Sequence, residues 1–224
     1  MSSKSFANDL HTYVTTRIAS VRIGLLWLGL TACALAASAW PDRTQAATTA
    51  VLAALLIVQF RLWDDLADQR HDAHYHSQRV LVSTVRGHKF VLLCIALALP
   101  IAWALWIWRD PARLLSYAAL CAAMGMLYIA SPQWPRIVRS HLVLLKYPVF
   151  VWLCAINPQA YRTVMIGTAL WLVLALIDMR GDRSMRAGSN WRWIQGIELA
   201  MLFVFAVLAL QHALSVMSYG SQPR

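Results

Sequence analysis

Long apolar runs, separated by short polar joints, dominate this chain. A membrane-crossing helix needs about 20 mostly apolar residues. Runs of that kind fall at roughly 23–40, 46–63, 90–108, 112–130, 137–156, 161–178 and 193–215. The run 137–156 is the least apolar, because it carries His141, Lys146 and Pro148. The joints near 41–45, 109–111 and 157–160 are short and contain Pro41, Pro111 and Pro158, residues that interrupt helices. Short joints make successive helices antiparallel. The expected fold is therefore all-α: a polytopic, up-and-down membrane bundle of about seven transmembrane helices in a single domain over 1–224. Within it, 1–22 is a polar cytoplasmic lead-in, 23–215 the bundle and 216–224 a tail. The lead-in has no apolar stretch before Ile23 and is not a signal peptide.

Composition agrees with this pattern. Charged residues make up 13% of the chain, against about a quarter in soluble domains. The net charge of +10 does not suggest a nucleic-acid partner, because the basic residues lie between apolar runs rather than along one face. Basic loops of this kind suit anionic membrane lipids and anionic substrates. Cys33, Cys94, Cys121 and Cys154 all lie within apolar runs and read as reduced core residues.

Seven spans would put the N-terminus and the segments 64–89, 131–136 and 179–192 on one side. That side carries 14 Lys and Arg, with Arg61 and Arg139 at the span ends counted as basic anchors there, whereas Arg43, Arg109, Arg113, Arg162 and Arg224 make five on the other. The asymmetry predicts a cytoplasmic first side, in a multi-pass protein of the bacterial inner membrane.

The acidic residues change the picture from architecture to chemistry. The chain has ten, and six fall in two segments, Asp64-Asp65-Leu66-Ala67-Asp68-Gln69-Arg70-His71-Asp72 and Asp178-Met179-Arg180-Gly181-Asp182. Both segments begin where an apolar run ends, on the same expected side. Asp64, Asp68 and Asp72 are four apart, so on a helix they stack along one face; Asp178 and Asp182 do the same if the helix continues through Gly181. Like charges at this spacing repel, and they are costly near hydrocarbon. A divalent cation offsets both effects, and Mg2+ prefers carboxylate oxygens shared with substrate phosphates. The plainer alternative is that Arg61, Arg70, Arg180 and Arg183 neutralise the acids at a loop surface.

In these residues the chain resembles the UbiA superfamily of intramembrane prenyltransferases. Asp64-Asp65-x-x-Asp68-x-x-x-Asp72 is similar to that family's first motif, with Asp64 where Asn is usual. Asp178-x-x-x-Asp182 is similar to its second motif. Weaker likenesses are Arg79-Val80-Leu81, Tyr128, Lys146 and Gly181-Asp182-Arg183 with Gly188, so that the resemblance extends over about 15–200. It departs from the family in helix number, since nine are usual there.

The resemblance implies a Mg2+-dependent prenyltransferase. Such an enzyme moves an isoprenyl group from an isoprenyl diphosphate to an aromatic or lipid acceptor. It implies Asp64, Asp68 and Asp72 around one Mg2+ ion and Asp178 and Asp182 around another, with Asp65 pointing off the row toward a metal-bound water or a neighbour. Arg61, Arg79, Lys146 and Tyr128 would face the diphosphate. Within the same fold, a terpene cyclase and a polyprenyl-phosphate phosphoribosyltransferase are alternatives. A non-catalytic membrane partner subunit or a divalent-cation carrier is the alternative of another class. A second copy of the chain could cover a flank left by the low helix count, making a homo-oligomer.

Other features carry less. Of the 11 Trp, those near span ends suit an interfacial belt, whereas Trp63 and Tyr128 suit a pocket lining. His71, His74, His76 and His88 read as solvated loop residues. Glu198, the one Glu at membrane depth, either pairs across helices or faces the bundle interior.

Overall fold

The computed structural model describes residues 5–39, 41–69, 72–73, 77–130, 134–181 and 191–220, with side chains as far as 207. It is 86% helix, with no strand among the described residues. The helices are α1 (Phe6–Tyr13), α2 (Val21–Ala36), α3 (Arg43–Ala67), α4 (Val80–Ser83), α5 (Gly87–Trp108), α6 (Pro111–Ala130), α7 (Arg136–Leu144), α8 (Lys146–Cys154), α9 (Ala160–Gly181) and α10 (Trp191–Gly220). A π-helical turn, Val14–Ile18, joins α1 to the α2 approach.

Local chemistry explains most boundaries. Asp42 opens α3 with a capping box: its carboxylate accepts from the Gln45 amide at 2.7 Å, and the Gln45 side chain accepts from the Asp42 amide at 3.2 Å. Ser20 caps α2 by accepting from the Ile23 amide. The least apolar expected span is divided into α7 and α8. Pro148 has no N–H to offer the carbonyl of Leu144, four residues earlier, and its ring crowds that carbonyl, so α7 ends there.

Five stretches are long and apolar enough to cross a membrane: α3, α5, α6, α7 with α8, and α9. The α1–α2 pair makes a sixth, bent by 64° at its break. The sequence led to an expectation of about seven spans; five to six is the number of such helices among the described residues. The seventh expected run lies on α10. The polar lead-in is itself helical in α1 and packs on the bundle.

The main core joins α2, α3, α5, α6 and α8 through buried Leu30, Leu56, Phe60, Ile101, Tyr117 and Phe150. A second cluster, Tyr13, Leu62, Leu81 and Phe90, fixes α1 and α4 against α3 and α5. Gly167 lets α9 lie close to α8: a Cβ there would meet the Pro148 Cα at 3.1 Å. At the end of α8, Arg109 donates to the carbonyl of Cys154 at 3.0 Å, and Arg113 donates to those of Leu153 and Ala155. Two arginines thus satisfy carbonyls that the short helix leaves without amide partners. Asp110 pairs with Arg113 at 3.0 Å.

Candidate functional site

The first acidic row starts in the last turn of α3 and continues past its end, where Asp68 is the C-cap. Backbone bonds run from the Asp68 amide to the Asp64 carbonyl and from the Asp72 amide to the Asp68 carbonyl, each 2.9 Å. The four-residue helical spacing therefore holds at each step of the row. The side chains nevertheless diverge, each to a different partner.

Asp64 points into the bundle. Tyr128 of α6 donates to one carboxylate oxygen, and Lys146, at the start of α8, places its ammonium 2.5 Å from the other. Lys146 is only 2% exposed. Residues adjacent in a helix point about 100° apart, and Asp65 accordingly faces α1. It accepts from the Tyr13 hydroxyl at 3.0 Å and from Arg17, whose Nε lies 3.1 Å away; Arg61 pairs with it at 3.3 Å. With these three partners, Asp65 serves as the anchor of the N-terminal helix. Arg61, expected at the diphosphate, is engaged there too.

Asp68 accepts from Arg139 of α7 at 2.6 Å. Asp72 is buried and pairs with Arg79. Asp178 of α9 accepts from the hydroxyl of Ser140, the residue after Arg139. Consecutive residues of α7 therefore touch both acidic segments. Asp182 lies outside the described residues, as do Arg70, His71, His74, His76 and Arg183.

Among the described residues, no group of three or more Asp, Glu, His or Cys side chains converges as a metal cage. Two of the acids nonetheless keep donor atoms of the kind a divalent ion takes. Asp68 and Asp178 each spend one carboxylate oxygen on α7 and leave the second outside those bonds. Mg2+ commonly takes one or two protein carboxylates and completes its shell with phosphate and water. Asp64 fits less well, since both of its oxygens are engaged. Asp72 opens instead onto a separate polar pocket of about 430 Å3 that it shares with Asp65, Arg17 and Arg79.

A larger hollow begins at Lys146. It is a groove of about 840 Å3 between α6, α8 and α9, walled by Leu127, Leu142 and Val149 near one end and by Ser116, Trp152 and Ala160 near the other. Trp63 packs against Tyr128 with ring centroids 5.8 Å apart, and Gly125 leaves room beside Trp63.

Several of these residues had weak signals in the sequence. Arg139 reads there as one more basic anchor, and Ser140 as nothing in particular. Glu198 finds a partner across helices: His141 Nε2 lies 2.5 Å from its carboxylate. The cost of an unpaired titratable group at membrane depth is the signal that could have joined them.

Fold and site together define an all-helical protein with several apolar helices able to cross a membrane, carrying a cluster of acids, cations and tyrosines at the mouth of an apolar groove. Compared with protein-family models, with curated proteins and with solved structures, the chain matches none.

Proposed function

We propose that this protein is a Mg2+-dependent prenyltransferase of the UbiA superfamily, using an isoprenyl diphosphate and an aromatic or lipid acceptor. One observation carries the reading. Acids from two helix ends, Asp68 and Asp178, meet consecutive residues of one helix, and the buried Lys146, paired with Asp64, is among the residues that line an apolar groove. A molecule with a multiply charged head and a long apolar tail matches that combination. The groove suits the tail, and Lys146 with the acid-bound cation suits the head.

Bound Mg2+ would supply charge stabilisation to the departing diphosphate. The chain's own residues do the rest. Asp68 and Asp178 would hold the cation. Lys146, held on Asp64, adds positive charge on the side of the diphosphate, and the Tyr128 hydroxyl stays on the Asp64 carboxylate. The bond between the allylic carbon and oxygen breaks, and its electron pair leaves with the diphosphate. The acceptor's electron pair forms the new carbon bond, and the acceptor's proton passes to diphosphate or solvent. Trp63, Tyr128 and Tyr147 offer electron-rich faces to the allylic cation.

The test is pyrophosphate release and prenylated-product formation by purified protein in lipid nanodiscs, with farnesyl or geranylgeranyl diphosphate, Mg2+ and a panel of phenolic and lipid acceptors. Cyclic hydrocarbon formed without acceptor would make it a cyclase. Consumption of phosphoribosyl diphosphate with a polyprenyl phosphate would make it a phosphoribosyltransferase.

A reading of another class, a non-catalytic membrane partner subunit, draws on one observation: each described motif acid already has a cation or hydroxyl against it. Turnover left unchanged by Asp68→Ala and Asp178→Ala would favour it.

A further inference from the structure

The polar hollow stands apart from the groove. Its volume of about 430 Å3 is in the range of small-molecule sites, and it lies where α1 and its π-helical turn meet the end of α3 and the segment 77–81. Its inner wall is charged: Asp65 and Asp72 are buried there, with Arg17 and Arg79 half-buried beside them. Exposed Thr12, Thr16, Ser77 and Gln78 make a polar rim. The walls are fixed by contacts of their own. Asp9 of α1 accepts from the hydroxyl of Thr84, the residue after α4, at 2.7 Å, and Tyr13 donates to Asp65 at 3.0 Å. Phe6 and Tyr13 pack edge-on against Phe90 of α5, with ring centroids 5.3 and 5.6 Å away. The hollow is therefore preformed.

Its charges decide what it can take. Among the lining residues two arginines and two carboxylates balance, so a plain anion or a plain cation meets repulsion as well as attraction. Hydrogen-bonding capacity remains on both signs. Arg17 binds Asp65 through Nε and Nη2, and Arg79 binds Asp72 through Nη1. The second terminal nitrogen of each arginine lies outside those bonds. Asp65 is engaged by Tyr13, Arg17 and Arg61, whereas Asp72 keeps its second oxygen outside its bond to Arg79. The Thr12 and Thr16 hydroxyls donate to the carbonyls of Asn8 and Thr12 at 2.8 and 2.7 Å, so toward a ligand they act as acceptors. A phosphate with a primary ammonium close by satisfies both sets. The phosphate meets guanidinium nitrogens, and the ammonium meets the Asp72 carboxylate and the threonine oxygens.

Position favours a lipid as the source of that ligand. Asp65 lies in the last turn of α3, where its apolar run ends, and Arg17 lies four residues before Val21, where α2 begins. The hollow thus stands at the level where two membrane-crossing stretches reach the headgroup region. α2 exposes Val21, Leu25 and Leu28 at helical spacing, an apolar stripe suited to acyl chains that starts just beyond the hollow in the chain.

We infer that this hollow binds the headgroup of a zwitterionic phospholipid bearing a primary ammonium, of the phosphatidylethanolamine kind. The phosphate sits on Arg17 and Arg79 and the ammonium on Asp72. Lipid binding here does not depend on the transferase reading, which uses Asp68 and Asp178.

The test uses the full chain in nanodiscs that hold phosphatidylcholine, phosphatidylethanolamine and phosphatidylglycerol in equal amounts, all with dioleoyl chains. Native mass spectrometry reads which lipid the protein retains. Phosphatidylcholine offers no N–H, and phosphatidylglycerol has no cation. Phosphatidylethanolamine is expected to be retained about tenfold over either, the scale of one charge-assisted hydrogen bond. Asp72→Asn is expected to erase that preference. Ser77→Trp crowds the exposed rim and leaves the buried charges in place. It is expected to lower retention of phosphatidylethanolamine, and it decides the matter if Asp72→Asn fails to fold. Retention of phosphatidylglycerol or phosphatidylcholine equal to that of phosphatidylethanolamine overturns the inference. So does a preference that persists in folded Asp72→Asn or in Ser77→Trp. Displacement of the lipid by an equal concentration of O-phosphoethanolamine would assign the hollow to a soluble amine phosphate, and overturns the lipid as its ligand.

Discussion

Lys146 and Asp64, 82 positions apart in the chain, form an ion pair with nitrogen and oxygen 2.5 Å apart, the lysine buried and the carboxylate part exposed. The pair joins the start of α8 to the last turns of α3 and stands where the acidic cluster meets the apolar groove. A charge in such a place is costly without its partner.

That cost predicts a specific mutational pattern. Asp64→Asn is expected to destabilise the protein by about 3–5 kcal/mol, because it leaves the buried Lys146 without its countercharge, and Lys146→Met by less, because Asp64 is part exposed and keeps the Tyr128 hydroxyl. The double variant is expected to lose less than the sum. Denaturation in detergent micelles measures all three, and strictly additive losses would refute the pairing.

Asp68 and Asp178 should behave differently. Both are only partly buried, and both face α7 with one carboxylate oxygen each. Replacing either with Ala is expected to lower turnover by more than about a hundredfold, the scale of one lost metal contact. Thermal stability is expected to change little. Product assays run beside thermal unfolding separate the two effects.

Removal of divalent cations is expected to abolish product formation, and Mg2+ to restore it. Isothermal titration of Mg2+ in the presence of a non-hydrolysable prenyl diphosphate gives a second readout. Binding that persists unaltered in the Asp68→Ala, Asp178→Ala double variant would remove these acids from the metal site.

Asp65 predicts stability rather than catalysis. Tyr13→Phe removes one buried hydrogen bond and is expected to cost about 1 kcal/mol. Loss of Asp65 strips α1 of its bonds to Tyr13 and Arg17 together. Protease cleavage after α1 is expected to speed up in Asp65→Ala, with Asp68-dependent turnover retained. Equal protection of α1 in both proteins would sink this assignment.

The sidedness deduced from arginine and lysine is open to a direct check. Tags at the two termini are expected on opposite faces of the membrane, as an odd number of crossings requires. Finding both on one face would mean an even number, in keeping with six spans rather than seven.

The helical class, the apolar runs and the clustering of acids were all legible in the chain, because each depends on residues close together in sequence. Burying apolar surface in lipid sets helix length locally, and a four-residue interval sets a common face locally. The Asp64–Asp68–Asp72 interval duly appears as successive backbone bonds. The side-chain destinations were not legible. Whether a carboxylate meets Lys146, Arg17, Arg139 or Arg79 depends on which helices lie beside α3, and that is settled by packing such as Phe60 against Phe150 and Gly167 against Pro148. The break between α7 and α8 was half legible, in Pro148, although its consequence was not. It creates the short helix whose consecutive residues Arg139 and Ser140 reach both acidic segments. Sequence spacing thus determined which residues can share a face, while only the tertiary structure decided which partner neutralises each charge, because those electrostatic contacts join residues tens of positions apart.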